Sequence, residues 1–503
     1  LDIDALALDE ESVRARAEEL LCILHRDREA HDGLMACDRY IKGDHDDPYM
    51  PKDATKEYKL LAKRSVTNLV PLVIATPAQG LYVDGVRTSD PESDENAQEW
   101  AAWQRSGMDK RQGSLYRGAF GYGHSFVLTE AVEDNPRQGR MRVLSPLRTA
   151  VGYDDPVNDD APLAAIHVKR WPRHVKRDDK ESEQEGIARY WDEVDEYEVR
   201  FKSFSDITSV TRVGPHGNSE CPVERFAPHV DLDGRTTGLV GPLIPLQDRI
   251  NQTVFDLLVA QTFGSFKVRY VTGMEPSYVL DPETGEPKLD DNGQPIEKPV
   301  RAHLTRFMMA ESPDSQFGEL GETPLDGYIS AIDMGIRHLA AIEQIPPHHL
   351  LGQVANLSAE ALNAAETALA RKIEEFQHSF GESWERVFRL VGELEGNAAQ
   401  AGDFGLEVVW RDMGAQSLAQ TSDALGKLHQ LLGVPQEGLW RRVPGVTPRE
   451  LEEWRDLRAA QPDVALANGN RRATAPRETP AEPEGLSGDV IPPQPSTLEV
   501  PAA

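Results

Sequence analysis

The residue groupings most able to do chemistry lie in the first third of the chain. Asp44-His45-Asp46-Asp47 sets three carboxylates around an imidazole, ligand types that a divalent cation accepts. Aspartates crowded beside Gly43 and Pro48 are also ordinary turn formers, since their side chains bond their own backbone, and the turn is the preferred reading. Gly118, Gly121 and Gly123 suggest a phosphate loop. Their spacing is neither GxGxxG nor GxxxxGKS/T, and a strand-like stretch follows the glycines instead of preceding them, so a glycine-rich turn is expected. His124 and Ser125 are adjacent but lack the GxSxG elbow, and no third member of a triad can be placed. Lys169 to Arg177 (KRWPRHVKR) wraps basic residues around Trp171, a combination suited to nucleic acid. Asp178, Asp179, Glu181, Glu183 and Glu185 follow at once and would screen it, which favours a solvated loop. No catalytic set, metal site or cofactor is indicated.

Composition bounds what these groups can belong to. The 503 residues exceed one hydrophobic core, so about two to four domains are expected. Asp plus Glu (84) outnumber Lys plus Arg (54), for a formal charge of -30. That balance argues against gripping nucleic acid through a broad basic face, though not against letting DNA slide past. Cys22, Cys37 and Cys221 have no CxxC spacing, which indicates neither a disulfide framework nor zinc and fits a reducing cytoplasm. No apolar run approaches the ~18 residues of a membrane span, and the charged start is not a signal peptide. Leu1 is not a start methionine, so the native N-terminus is expected upstream or processed.

The elements that must position any site are mainly helical. Residues 9 to 30 and 95 to 117 read as amphipathic helices, the latter anchored by Trp100, Trp103 and Leu115. Residues 56 to 70 are helical and broken at Pro71, running on into Leu72 to Ala75. LYVDGV from Leu81 is a short strand or a helix continuation. From Met141 to Phe204 the apolar period becomes two, a small β-rich region. Leu243, Leu246, Ile250, Val254 and Leu257 then step by three and four along one helix face. A second stripe, Leu325, Ile329, Ile332, Ile336 and Leu339, opens with Thr323-Pro324 and is stopped by Pro346-Pro347. Between them Ser265 to Gly321 is polar and turn-rich, so the two helices must run antiparallel. After a polar loop, His348 to Leu357, a helix from Ser358 carries Leu362, Leu369, Ile373, Phe376, Phe380, Trp384, Val387 and Val391 and would be roughly 55 Å long. Leu406 to Trp410 is strand-like, Ser417 to Gly433 is helical and Thr447 caps a further helix. From about Pro462 the composition cannot offset ordering entropy, and a disordered tail is expected.

Several local strings, in order, carry a family resemblance. They are Tyr40 to His45 (YIKGDH), Lys63 to Val73 (KRSVTNLVPLV), Gly118 to Leu128, and Ser145-Pro146 before an acidic turn. Pro245 to Asn251 (PLQDRIN) and Ile345 to Gly352 (IPPHHLLG), followed by Ser358 to Leu362 (SAEAL), complete the set. Across roughly residues 12 to 460 the chain resembles the portal proteins of tailed bacteriophages, particularly those of siphophages infecting actinobacteria.

The resemblance implies an α+β, mainly helical portal fold: wing (1 to 240), stem helices (241 to 264 and 322 to 347), clip (265 to 321) and tunnel loop (348 to 357). A long helix and return strand (358 to 416), a crown (417 to 461) and the tail (462 to 503) follow. It implies a homo-oligomeric ring, expected to be a dodecamer, at the capsid portal vertex of the virion. Expected partners are double-stranded DNA, terminase large subunit, a head-tail adaptor, and the major capsid and scaffolding proteins, with no membrane. His348, His349, Gln353 and Asn356 would line the channel, and Lys267, Arg269, Arg301 and Arg306 would serve docking at the clip. The stem would pack through Leu243, Leu246, Ile250, Val254, Leu325, Ile329, Ile332 and Ile336, stripes expected to bury poorly in one chain. Two rival readings are a capsid-associated metal-dependent nuclease built on Asp44, His45, Asp46 and Asp47, and a helical adaptor without DNA contact.

Overall fold

Asp9 opens the first helix: its carboxylate accepts from the Ser12 N–H at 3.2 Å, and Glu10 and Glu11 occupy the first turn, where the helix dipole favours acidic groups. The computed structural model describes residues 9–89, 99–177, 180–264, 269–272, 278–279, 281–282, 284–290, 293–296, 316–319, 324–352, 359–411, 418–440, 442–443, 446 and 448–460. The chain divides into two compact units, 1–413 and 414–503.

The first unit begins with α1 (Glu10–Glu29) and α2 (Leu34–Lys42), the latter closed by Gly43 in the left-handed region at φ 84°. Helix α3 (Lys56–Ser65) and helix α4 (Val70–Gln79) follow. Pro71 therefore starts a helix instead of breaking one, because the first turn needs no N–H from it. Strand β1 (Val83–Arg87) settles the stretch after Leu81 as extended. The helical region after residue 98 is two helices, α5 (Glu99–Ser106) and α6 (Met108–Tyr122), parted at Gly107. Gly118 and Gly121 lie inside α6, contrary to the expected turn; only Gly123, at φ 93°, turns the chain. Gly121 is small for a reason of packing, since a Cβ there would stand 2.9 Å from Ile41 Cδ1.

The β-rich region runs from β2 (Ser125–Val132) through β3 (Asn135–Leu144), β4 (Thr149–Gly152), β5 (Ala164–Arg170), β6 (Arg173–Arg177), β7 (Lys180–Gln184), β8 (Gly186–Trp191), β9 (Asp195–Ser203) and β10 (Asp206–Pro215) to β11 (Val223–Phe226). Neighbours β10-β9-β8-β5-β4 form an antiparallel sheet, and α1 lays Val13, Ala17, Leu20, Leu21 and Leu24 on it. Strands β11-β2-β3 form a second sheet. The basic run expected as a solvated loop is mostly strand: β6 pairs with acidic β7, Lys176 opposite Glu181 and His174 opposite Glu183.

Helices α7 (Ile244–Gly264) and α8 (Asp326–Ile342) flank strands β12 (Arg269–Thr272) and β13 (Gln316–Glu319), which pair with each other. Then come α9 (Pro347–Leu351), α10 (Ala359–Glu395), α11 (Ala398–Ala401) and β14 (Glu407–Trp410), which pairs antiparallel with β1. Helix α10 is the spine of the main core. Its Phe376, Phe380, Trp384, Val387, Phe388 and Val391 are fully buried with Trp103, Tyr116 and Phe120, each contributing about 1.5–3 kcal/mol of apolar transfer. The Trp384 indole N–H donates to the Tyr116 hydroxyl at 2.9 Å, so both aromatic polar tips are satisfied inside the core. Arg386 enters on another face and bonds Glu220 at 2.9 Å, Glu224 and the Asp160 carbonyl. The second unit contains α12 (Leu418–Leu432), α13 (Gln436–Trp440) and α14 (Pro448–Ala459), with Trp440 edge-on to Trp454. Residues 462 to 503, expected as a disordered tail, lie outside the described residues.

Candidate functional site

Helices α7 and α8 form an antiparallel hairpin that carries the polar insert at its tip. The direction follows from its contacts: Arg249 meets His338 at 3.3 Å, and Gly335 lies so close to Ile250 that a Cβ would stand 2.9 Å from it. The two apolar stripes divide into a proximal and a distal half. Leu243, Ile250, Ile336 and Leu339 are buried in the main core, and Leu246, Val254 and Ile332 pack against it. The expectation that both stripes bury poorly in one chain therefore fails for the proximal half. Toward the tip Leu325 is half-buried and Ile329 is 55% exposed, so the stripe of α8 outruns the body that covers it. Met334 and Ile342, on another face, are 53% and 59% exposed. Helix α8 starts at Asp326 with Leu325 as its cap, so Pro324 precedes the cap instead of occupying the first turn.

A buried polar seam fixes the root of the hairpin. Gln247 and Asn251 stand one turn apart on α7, both buried. The Gln247 amide accepts from Leu69 N–H at 3.2 Å and donates to the Thr67 carbonyl at 2.9 Å, while Asn251 accepts from Thr67 N–H at 3.1 Å. Asn251 also donates to His45 Nδ1 at 2.8 Å, and His45 Nε2 donates to the Tyr40 carbonyl at 3.1 Å. The His45 ring stacks on Tyr40, whose hydroxyl donates to Asp248 at 2.6 Å. Three strings that are separate in sequence, at 40–45, 63–73 and 245–251, thus meet in one network. Sequence reading missed Gln247 and Asn251; the available signal was a pair of amides spaced by four beside an apolar stripe, which also describes a solvated face.

The turn after α8 differs from the expected polar loop. Helix α8 already ends at Ile342, turned by Gln344 at φ 54°, and Pro347 begins α9, placing His348 and His349 on a short helix. Leu350 buries in the main core and Gly352, at φ 65°, closes the turn. His348 Nε2 and His349 Nε2 lie 3.0 and 2.9 Å from one carboxylate oxygen, Oε1 of Glu366 on α10. Lys372, two turns further along α10, donates to the Glu343 carbonyl and carboxylate, each at 2.9 Å, and so ties the end of α8 to the same helix. Gln353 and Asn356 lie outside the described residues, as do Lys267, Arg301 and Arg306; Arg269 opens β12.

The other groupings with chemical potential are engaged structurally. Both nitrogens of His45 are committed to the seam, and Asp46 pairs with Arg39 at 3.0 Å, which leaves the 44–47 cluster without its imidazole ligand. The Ser125 hydroxyl donates to the Leu115 carbonyl, and half-buried His124 bonds Thr236 at 2.8 Å. Burial, helped by the nearby Arg225 charge, lowers the His124 pKa to about 4. That ring is neutral at pH 7, and its partner is Thr236 and not the Ser125 hydroxyl, which bonds Leu115.

Comparison with known proteins agrees with the architecture. A family model described as phage portal protein, SPP1 Gp6-like, matches residues 21–462. The portal protein of Mycobacterium phage D29 is 25% identical over 398 residues, covering 76% of this chain and 77% of its own length. The portal protein of Mycobacterium phage L5 is 24% identical over 398 residues, covering 76% of each chain. A solved structure described as the neck of an empty GTA particle covers 78% of this chain and 96% of its own at 14% identity; its TM-score of 0.38 is too low to carry an argument. No helix among the described residues is long and apolar enough to cross a membrane. With the family model spanning residues 21 to 462, the chain belongs to the SPP1 Gp6-like phage portal proteins.

Proposed function

We propose that this chain is the subunit of a ring-shaped channel, a dodecamer at one capsid vertex, through which double-stranded DNA enters during packaging and leaves at ejection. In this reading 1–240 is the wing, α7 and α8 are the stem, 265–321 is the clip, 348–357 belongs to the tunnel and 417–461 is the crown. The ring nucleates head assembly with the major capsid and scaffolding proteins, docks the terminase large subunit and later holds the head-tail adaptor. Its part is mechanical and not enzymatic.

Beyond family membership, one observation carries the reading: the distal half of the α7–α8 hairpin leaves Ile329 exposed on the stripe that is buried further down. An apolar stripe that outruns its own core is suited to burial against a neighbouring copy. The net charge of -30 suits a conduit that must not hold DNA tightly, because phosphate affinity comes from released counterions at cationic contacts. Docking at the clip falls to Lys267, Arg269, Arg301 and Arg306, in the insert between the two stem helices.

The test is DNA translocation. His348, His349, Gln353 and Asn356 are assigned to the channel, where polar side chains touch phosphates without a ring of lysine or arginine. Replacing Gln353 and Asn356 with Lys should slow packaging or ejection while rings still assemble and bind terminase. Unaltered translocation through verified intact rings would take this loop out of the DNA path.

A further inference from the structure

Two adjacent imidazoles converge on one carboxylate at the junction of α9 and α10, and the geometry points to a transition-metal site: we propose that His348, His349 and Glu366 bind one Zn²⁺ per chain. One ligand atom from each of the three residues can be chosen so that all lie within 4.8 Å of one another. The Glu366 Oε1 distances of 3.0 Å to His348 Nε2 and 2.9 Å to His349 Nε2 are shorter than the roughly 3.3 Å ligand-to-ligand edge of a tetrahedral zinc site with bonds of about 2.0–2.1 Å. Those two edges need open by only a few tenths of an ångström to admit the ion.

The donor set selects the metal class. Two imidazole nitrogens and one carboxylate oxygen suit zinc and its neighbours in the first transition row, whereas calcium and magnesium prefer all-oxygen shells. Three protein ligands leave a fourth position for water, and the side chains of His349 and Glu366 are 33% and 36% exposed, open enough to admit it.

The ligands sit on supported backbone, which a metal site needs. The adjacent prolines and buried Leu350 hold α9, and the two imidazole rings stand edge to face with centroids 4.6 Å apart. Glu366 lies one turn before Leu369, which is buried in the main core, and Lys372 bonds the end of α8. The ion would clamp the elements on either side of residues 353–358. This inference stands on local geometry and does not depend on the channel reading.

The experiment uses the full-length chain without a histidine tag, stripped with chelator and dialysed against ZnSO₄, with bound metal measured by mass spectrometry. The expected result is one zinc per chain at micromolar free metal. His349→Ala and Glu366→Gln should each weaken binding by more than the roughly 10–100-fold that losing a supporting hydrogen bond costs. Circular dichroism and oligomer size in the absence of metal would verify that the variants fold. Glu366→Gln keeps the side chain's shape, so its effect reports coordination; with Co²⁺ in place of zinc, the visible absorption of a four-coordinate site should appear in the natural chain and vanish in this variant. Failure of the natural chain to retain zinc, or equal retention by folded variants, would overturn the proposal.

Discussion

Asn251 on α7 donates its side-chain amide to Nδ1 of His45 at 2.8 Å, joining two buried residues 206 positions apart. The same amide's oxygen receives Thr67 N–H and Gln247 Nε2–H, so one side chain satisfies three partners. Asn251→Leu should therefore destabilise the chain by about 1–3 kcal/mol for each buried group left without a partner, read as a lowered urea midpoint. His45→Ala should cost stability in the same assay. An unchanged midpoint in both variants would show the seam to be energetically idle.

The buried guanidinium of Arg386 gives a second prediction. It neutralises Glu224 and reaches Glu220, so Arg386→Leu leaves buried carboxylate without its counter-charge and should cost about 3–5 kcal/mol. Burial raises Glu224 to about 7 even against the pull of Arg386, above its ordinary 4.5. A carboxyl whose folded pKa is raised contributes stability that is present below pH 4.5 and lost as pH rises through 7. Without the guanidinium that loss deepens, so the deficit of Arg386→Leu should be larger at pH 8 than at pH 5. A deficit independent of pH would locate the damage in packing instead.

Gly381 lies within the uninterrupted α10, where glycine costs about 1 kcal/mol relative to alanine. A Cβ there would meet Val408 Cγ2 at 3.6 Å, an ordinary contact. Gly381→Ala is expected to raise the thermal midpoint, with a gain of about 0.5–1 kcal/mol. A lower midpoint would show that β14 cannot accept even a methyl group.

The long amphipathic helices were legible because their apolar residues recur at helical spacing over many turns: α1, the α7–α8 hairpin and α10 all follow the stripes. Period two likewise marked the sheet region. Single residues with two meanings were not legible. Pro71 fits both the end of one helix and the first turn of the next, and Gly118 and Gly121 read as a turn, although both lie in α6 and Gly121 is small because Ile41 packs against it. Gln247 and Asn251 resemble a solvent face, since nothing local shows that Thr67, Leu69 and His45 will be brought to them. The His348, His349 and Glu366 cluster depends on two ligands adjacent in sequence and a third seventeen residues on, a spacing no local pattern marks.

Exposed and buried positions of one stripe should separate assembly from folding. Ile329→Asp places a charge on a residue that is 55% exposed in the single chain, so the variant should fold but give smaller species in light scattering. Ile336→Asp, 9% exposed and packed in the main core, should instead fail to fold stably. A ring of normal size from Ile329→Asp would remove the distal stripe from the subunit interface.

This chain is expected to build a ring-shaped channel without help from ligand or partner. Negative-stain electron microscopy of the purified chain at micromolar concentration tests it directly. Rings with a central hole are the expected result. A stable, well-folded monomer under the same conditions would contradict it.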